Sequence, residues 1–320
     1  MPDIPPEIRK AAAVIAIAIV LASSFAAAYT VALGRPAPRN LPVGVVGSTA
    51  VTAPFVNALH RNPREFDVHQ YATRGDAITD INQQRITAAI DATAAPPELL
   101  LSSASDPSGA RALIQLDQTQ PGRFILPVVD LHPLPPSDPM GMATFYLVIA
   151  ATILGFITMF QLRANVKGLS LRTWLACVAI LAVVGGAALA VVTGPVLGAL
   201  STPFGQLWLL ISMQIGTAAL FNSTMLVLIH RWAIIPTWLL FILLGNTSSG
   251  GAVSASLLPQ PFAFFNHALP SGATVSAIHA ATYFPDSQRT LPYLILGLWL
   301  VGSLTALLIS SRALHRTPAV

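Results

Sequence analysis

Charge is what this sequence lacks most. Only 9% of its 320 residues are Asp, Glu, Lys or Arg, against roughly 25% in an average soluble domain. Lysine occurs twice, at Lys10 and Lys167, and cysteine once, at Cys177. Each scarcity excludes something. A nucleotide-binding P-loop ends in a Gly-Lys step whose lysine reaches the phosphates. Lys10 follows Arg9 and Lys167 follows Val166, so neither belongs to such a loop. A lone cysteine closes no intrachain disulfide, and no Cys/His cluster has the spacing of a zinc site. The seven His residues form no H-E-x-x-H pair, and there is no G-x-S-x-G elbow. No metal site, cofactor of its own or catalytic set is read from the chain, which is therefore not expected to be an enzyme. Asp80 and Asp91 read as surface charge on a solvated helix.

What is present is apolar sequence, 54% of the chain, gathered into blocks free of charge. These lie at 11–33, 143–162, 173–192, 207–228, 232–244 and 291–310. Most are long enough to cross a hydrocarbon core of about 30 Å as a helix, and inside lipid each backbone polar group must be satisfied within its own segment. The fifth block is short and carries Pro236. The expected fold is a mostly α integral membrane protein with about six spans, and with an α/β extracytoplasmic domain between the first and second. The first block is longer than a secretory h-region and reads as a retained signal anchor.

Charge sets the orientation. With residues 1–10 inside, the inner segments carry Arg9, Lys10, Arg163, Lys167, Arg172, Arg231, Arg312 and Arg316 against Asp3 and Glu7, as the positive-inside rule requires. The tail 311–320 is then also cytoplasmic, and the expected location is the cell membrane. Residues 34–142 hold eight Arg and ten Asp or Glu. The net charge of +4 is a topology signal. Scattered, without aromatic interleaving, it does not indicate nucleic acid.

The segment 34–142 changes character. LPVGVVGS and FDVHQYA read as strands around a helix from position 49 to 62. Asp76 reads as the N-cap of a helix over 77–92, whose apolar face is Ile78, Ile81, Ile86, Ala89 and Ile90. PPELLLSSAS is a third strand, Pro107 opens a polar helix, and RFILPVVDL is a fourth strand. Such alternation predicts a small α/β layer, large enough for its own core. HPLPPSDP reads as a stiff linker to the second span.

Ionisable groups are missing from the span cores, where they would mark an ion or proton path. The fourth span offers neutral polar residues instead: Gln214, Asn222, Ser223 and Thr224. They bond neighbouring helices or line the path of an amphiphilic substrate; the sequence leaves both open. The stretch 245–290 is broken at Asn246, Gly250 and Gly251 and again at Pro259 and Pro270. It reads either as an ordinary extracellular loop or as short amphipathic helices (254–258, 262–269 and 273–284) that re-enter the outer leaflet, tolerable only if covered by protein or lining a cavity.

The stretches GNTSSGGAVSASLLPQPFAFFNHALPSGATVSAIHAATYF, LPVGVVGS…DAITDINQQRITAAID and VVDLHPLPPSDPMGMATFYLVIAATILGF resemble the type-2 ABC exporter permeases, and within them the YhgE/Pip (phage infection protein) branch, actinobacterial-type members especially. The resemblance implies a permease that pairs with a copy of itself or a second permease. A separate ATPase subunit would bind the ATP and drive export of a lipid-like or amphiphilic compound. It assigns ATPase coupling to the inner loop 163–172, with Arg163, Lys167, Gly168 and Arg172. The residues themselves also admit a surface receptor or scaffold that transports nothing and acts through its outer domain.

Overall fold

A computed structural model describes residues 5–34, 36–61, 64–119 and 126–316. Asp3, the start of RFILPVVDL and the last residues of the tail lie outside it. Five stretches are long and apolar enough to span a membrane: 6–33, 143–165, 171–196, 204–246 and 291–313. This is a multi-pass α-helical membrane protein with one small sheet.

The bundle is built around α7 (Phe204–Ile229), which packs against α5 (Ala143–Asn165), α6 (Leu171–Val191) and α11 (Leu291–Arg316). Close approach depends on small residues. A Cβ on Gly155 of α5 would lie 2.6 Å from the Ile215 carbonyl of α7, and one on Gly186 of α6 would press on Ser212. The outward faces of α6 and α11 expose Ile180, Val184, Leu294, Leu298 and Val301, the apolar surface that lipid covers. α1 (Pro6–Leu33) stands at the periphery and meets the rest where Phe25 approaches Trp238, ring centroids 6.1 Å apart.

The expected fourth and fifth spans form one 43-residue apolar stretch, but it is not one rod. In an uninterrupted helix Asn222 and Thr237 would stand about 22 Å apart. Instead the Thr237 hydroxyl donates to Asn222 Oδ1 at 3.1 Å, and the rings of Phe221 and Phe241 are 5.6 Å apart. The chain reverses at His230, whose φ of 54° is a left-handed value rare for a side-chain-bearing residue. α8 (Ile234–Thr237) then runs on as a wider π-helix, Trp238–Asn246. This return arm reaches at most about 20 Å, short of a full crossing.

The sheet domain has five strands in the order β2-β1-β3-β4-β5: β1 (Leu41–Val46), β2 (Phe66–Tyr71), β3 (Ala88–Asp91), β4 (Glu98–Leu101) and β5 (Val128–Asp130). β1, β2 and β3 are parallel, β4 is antiparallel to β3, and β5 is parallel to β4. α2 (Thr49–Leu59) and α4 (Pro107–Thr119) belong to one face, with Phe55, Leu59, Ala110 and Leu113 over Val43, Val45 and Ile90. α3 (Arg74–Asn82) covers the other, with Ala77 and Ile81 against Val46, Ala89 and Leu100.

One expectation here is corrected. Residues 77–92 are not a single helix. Thr73, not Asp76, is the N-cap, its hydroxyl accepting from the Asp76 amide. α3 ends at Asn82, Gln84 adopts φ 56°, and 88–91 becomes β3. Ile86, Ala89 and Ile90 therefore serve the sheet, not a helix face. Asp91 likewise is no solvated helix residue, being 2% exposed at the end of β3. Burial alone would raise its carboxyl. The hydroxyl and amide of Thr93 and the Arg74 guanidinium, which also bonds Glu98, outweigh that and hold it below the ordinary carboxylate value.

HPLPPSDP is a strap and not a spacer. His132 bonds Asn82 and packs edge-on to Phe284, Ser137 donates to the Gly198 carbonyl, and Asp138 accepts from the amides of Met142 and Ala143 at 2.8 and 2.9 Å. Asp138 thereby satisfies two orphan donors at the start of α5.

Candidate functional site

The polar residues of α7 face inward. Gln214 is fully buried; its Nε2 donates to Thr152 of α5 at 2.8 Å and its Oε1 accepts from Thr274 of α10 (Pro270–Tyr283) at 2.9 Å. Asn222 donates to the Phe156 carbonyl at 3.1 Å and accepts from Thr237. Ser223 donates to the Ala219 carbonyl and accepts from the Trp174 indole at 2.9 Å. Thr224 bonds the Leu220 carbonyl of its own helix and approaches the Ser303 carbonyl of α11. Of the two readings open in the sequence, interhelical bonding is thus observed directly. Gln214 and Asn222 are sealed between helices, while Ser223 and Thr224 each border a cavity.

The cavity beside Ser223 has several polar side chains in its lining. It encloses about 400 Å³ beneath the α5–α6 loop, lined by Arg163, Leu169, Trp174, Ser223, His230 and Ser311 among others. Two separately predicted sets meet here: Arg163 comes from the loop and Ser223 from the polar span. Arg163 makes no ion pair among the described residues. Lys167, Gly168 and Arg172 do not line the cavity and are exposed. Gly168 has φ 74° and open space around it, so it supplies the turn that a Cβ would strain. The backbone of His230, also in the lining, is held in an unfavourable conformation, a feature that clusters at functional sites.

The predicted re-entrant stretch is covered by protein. Asn246, Thr247, Ser248 and Ser249 are buried, and the Asn266 side-chain amide donates to the Ser248 carbonyl at 2.8 Å. Gly250 has φ 80°, and a Cβ on Gly251 would sit 2.9 Å from Phe145 of α5. Pro259 precedes α9 (Phe262–Ala268), and Pro270 opens α10 at its first turn, where its missing N–H costs nothing. The amphipathic character expected of 273–284 is corrected: Ala273, Thr274, Val275, Ala277, Ile278 and Ala280 are all buried. The helix is wedged against α5, α7 and α11, and a helix enclosed by other helices needs no polar face.

The sheet domain docks on this stretch. Leu257, Leu258 and Phe262 share an apolar seam with Ala32 of α1 and Ala112 of α4. Arg39 donates to the Leu257 carbonyl at 2.6 Å, its amide to the Ser256 carbonyl at 2.8 Å, and Ser254 donates its amide to Ser108. Asp106 lies at the centre. It caps α4 through the Gly109 amide at 2.6 Å and is approached by the hydroxyls of Ser108 and Ser256. Sequence reasoning passed over Asp106, although the run D-P-S-G is an N-cap followed by Pro at the first helical position.

Burial raises the Asp106 carboxyl above its ordinary value, against those hydrogen bonds. A raised folded-state pKa means the folded state holds its proton longer than the unfolded one. Stability from this group is therefore fullest below the ordinary carboxylate range and falls as pH rises through the folded value. Asp106→Asn keeps the cap and removes the charge. Thermal unfolding of the full chain in detergent should show the variant gaining on wild type as pH goes from about 4 to 8; Asp106→Ala should lose ~1 kcal/mol or more by losing the cap. A pH-independent difference between wild type and Asp106→Asn would refute the buried-charge account.

No family model, curated protein or solved structure matches the chain. Among the described residues no three His, Cys, Asp or Glu side chains gather as a metal site.

Proposed function

We propose that this chain is the membrane subunit of an ABC-type exporter for a lipid-like or amphiphilic compound, driven by a separate ATPase that binds the ATP. It lies in the cell membrane with both ends cytoplasmic and the sheet domain outside. It pairs with a second copy or a related permease. The observation that carries the reading is the cavity under the α5–α6 loop, where Arg163, Trp174, Ser223 and His230 meet. A push on the exposed element Lys167–Gly168 would reach α5 and α6 directly, since the loop joins them. Through the Trp174–Ser223 bond it would reach α7, around which the bundle is packed.

The test is co-purification. Lys167→Gln with Gly168→Ala leaves Arg163 and Arg172 to hold orientation. Affinity purification from native membranes should recover a P-loop ATPase with wild type and at least about tenfold less with the variant, as for a lost coupling of ~1.4 kcal/mol, at equal membrane levels. Equal recovery would reduce the loop to a topology signal. A second reading, a receptor or scaffold acting through the sheet domain, is favoured by one observation: Gln214 and Asn222 spend their polar groups on neighbouring helices. Wild type recovering no ATPase would favour it.

A further inference from the structure

Another cavity lies on the outside of the bundle, between α1 and the turn that joins α7 to α8. It holds about 370 Å³, with walls of Val14, Ala18 and Leu21 on α1 and Ile235 on α8, and with Lys10 and Arg231 among its lining residues. The positions on α1 recur every three or four residues, so they form one face of that helix. From Lys10 to Leu21 the groove runs roughly 16 Å, half of a hydrocarbon core of about 30 Å. Beyond Leu21, Phe25 closes on Trp238 and stacks on Tyr29 at 4.0 Å. The groove is therefore one leaflet deep.

We propose that it holds an acyl chain of an anionic phospholipid, with the phosphate between Lys10 and Arg231. Neither cation has an ion-pair partner among the described residues, Glu7 included. Arg231 lies over the Trp232 ring at 5.4 Å, which places the guanidinium beside an indole, the side chain that prefers the headgroup level. Apolar walls one leaflet deep with two free cations on the lining match a lipid. A helix of a second copy would be stopped at Phe25 and would strand both cations against apolar surface. A free phosphate would leave the walls wet. The inference is independent of the transport reading, since a receptor would hold the lipid equally well.

The probes are dioleoylphosphatidylglycerol and dioleoylphosphatidylcholine, offered at equal concentration to the full chain in detergent and counted by native mass spectrometry. Wild type should retain the anionic lipid about tenfold over the zwitterionic one, as expected for two cations at a headgroup. Lys10→Gln with Arg231→Gln should bring the ratio near one. Ala18→Trp, which keeps both charges and fills the groove, should do the same, with Ile17→Trp as a second filling variant. Equal retention of the two lipids by wild type would overturn the proposal. So would a preference that survives both filling variants, which would reduce the effect to surface charge.

Discussion

Gly155→Val should break the bundle. The new side chain would begin 2.6 Å from the Ile215 carbonyl, 3.0 Å from the Ala218 methyl and 3.2 Å from the Ala219 amide. Two of these are backbone atoms of the central helix and cannot rotate away. α5 and α7 must therefore part, and with them the Gln214–Thr152 and Asn222–Phe156 bonds. A loss of about 3 kcal/mol or more is expected, at the upper end for overpacking. Gly297→Val on α11 is the control: its Cβ would meet nothing within 4 Å, so it should stay within ~0.5 kcal/mol of wild type. Thermal unfolding in detergent reads both. Equal behaviour of the two variants would show that α5 and α7 do not approach as described.

The second large effect is all-or-none. The cavities bring Lys10 beside Arg231, and Arg163 beside His230, so the basic residues of three separate segments share one end of the bundle. A cation drawn to the bilayer centre costs roughly 3 kcal/mol, and a common basic end is what a cytoplasmic face requires. Asn57 on α2 and Ala164 at the end of α5 are exposed. With Cys177→Ser as background, Asn57→Cys should react with a membrane-impermeant thiol reagent on intact cells. Ala164→Cys should react only after permeabilisation. The reverse pattern would turn the proposed topology inside out.

The membrane helices were legible because lipid imposes one rule on every residue in them: 20 uncharged positions announce themselves without knowledge of their neighbours. The reversal at His230 was legible too, since Arg231 divides the apolar run into the blocks 207–228 and 232–244. The sheet domain was read well where strands carry β-branched residues, as in LPVGVV, and badly at ITAAID. Ala88 and Ala89 have little strand preference of their own; burial on both faces between β1 and β4 decides their conformation. The four polar residues of α7 were found, and their partners were not, because Thr152, Thr237 and Thr274 are distant in sequence and are unremarkable helix threonines. The cavity under the α5–α6 loop was half visible, as two unrelated residue sets. Only packing joins Arg163 to Ser223.

The antiparallel strand β4 decides where the chain goes next. Had all five strands run the same way, the domain would deliver its end at the edge opposite its beginning. Instead Val43, Ala88, Leu101 and Asp130 lie in one row across four neighbouring strands. At about 4.8 Å per strand, the entry and the exit are roughly 14 Å apart on the same side. That is the geometry of an insert, a module threaded into a connection between two helices without forcing them apart. Such a module can be exchanged for another with the same pair of ends, leaving the helices beneath it undisturbed. The sheet domain is thus free to diverge in what it meets while the part in the membrane stays as it is.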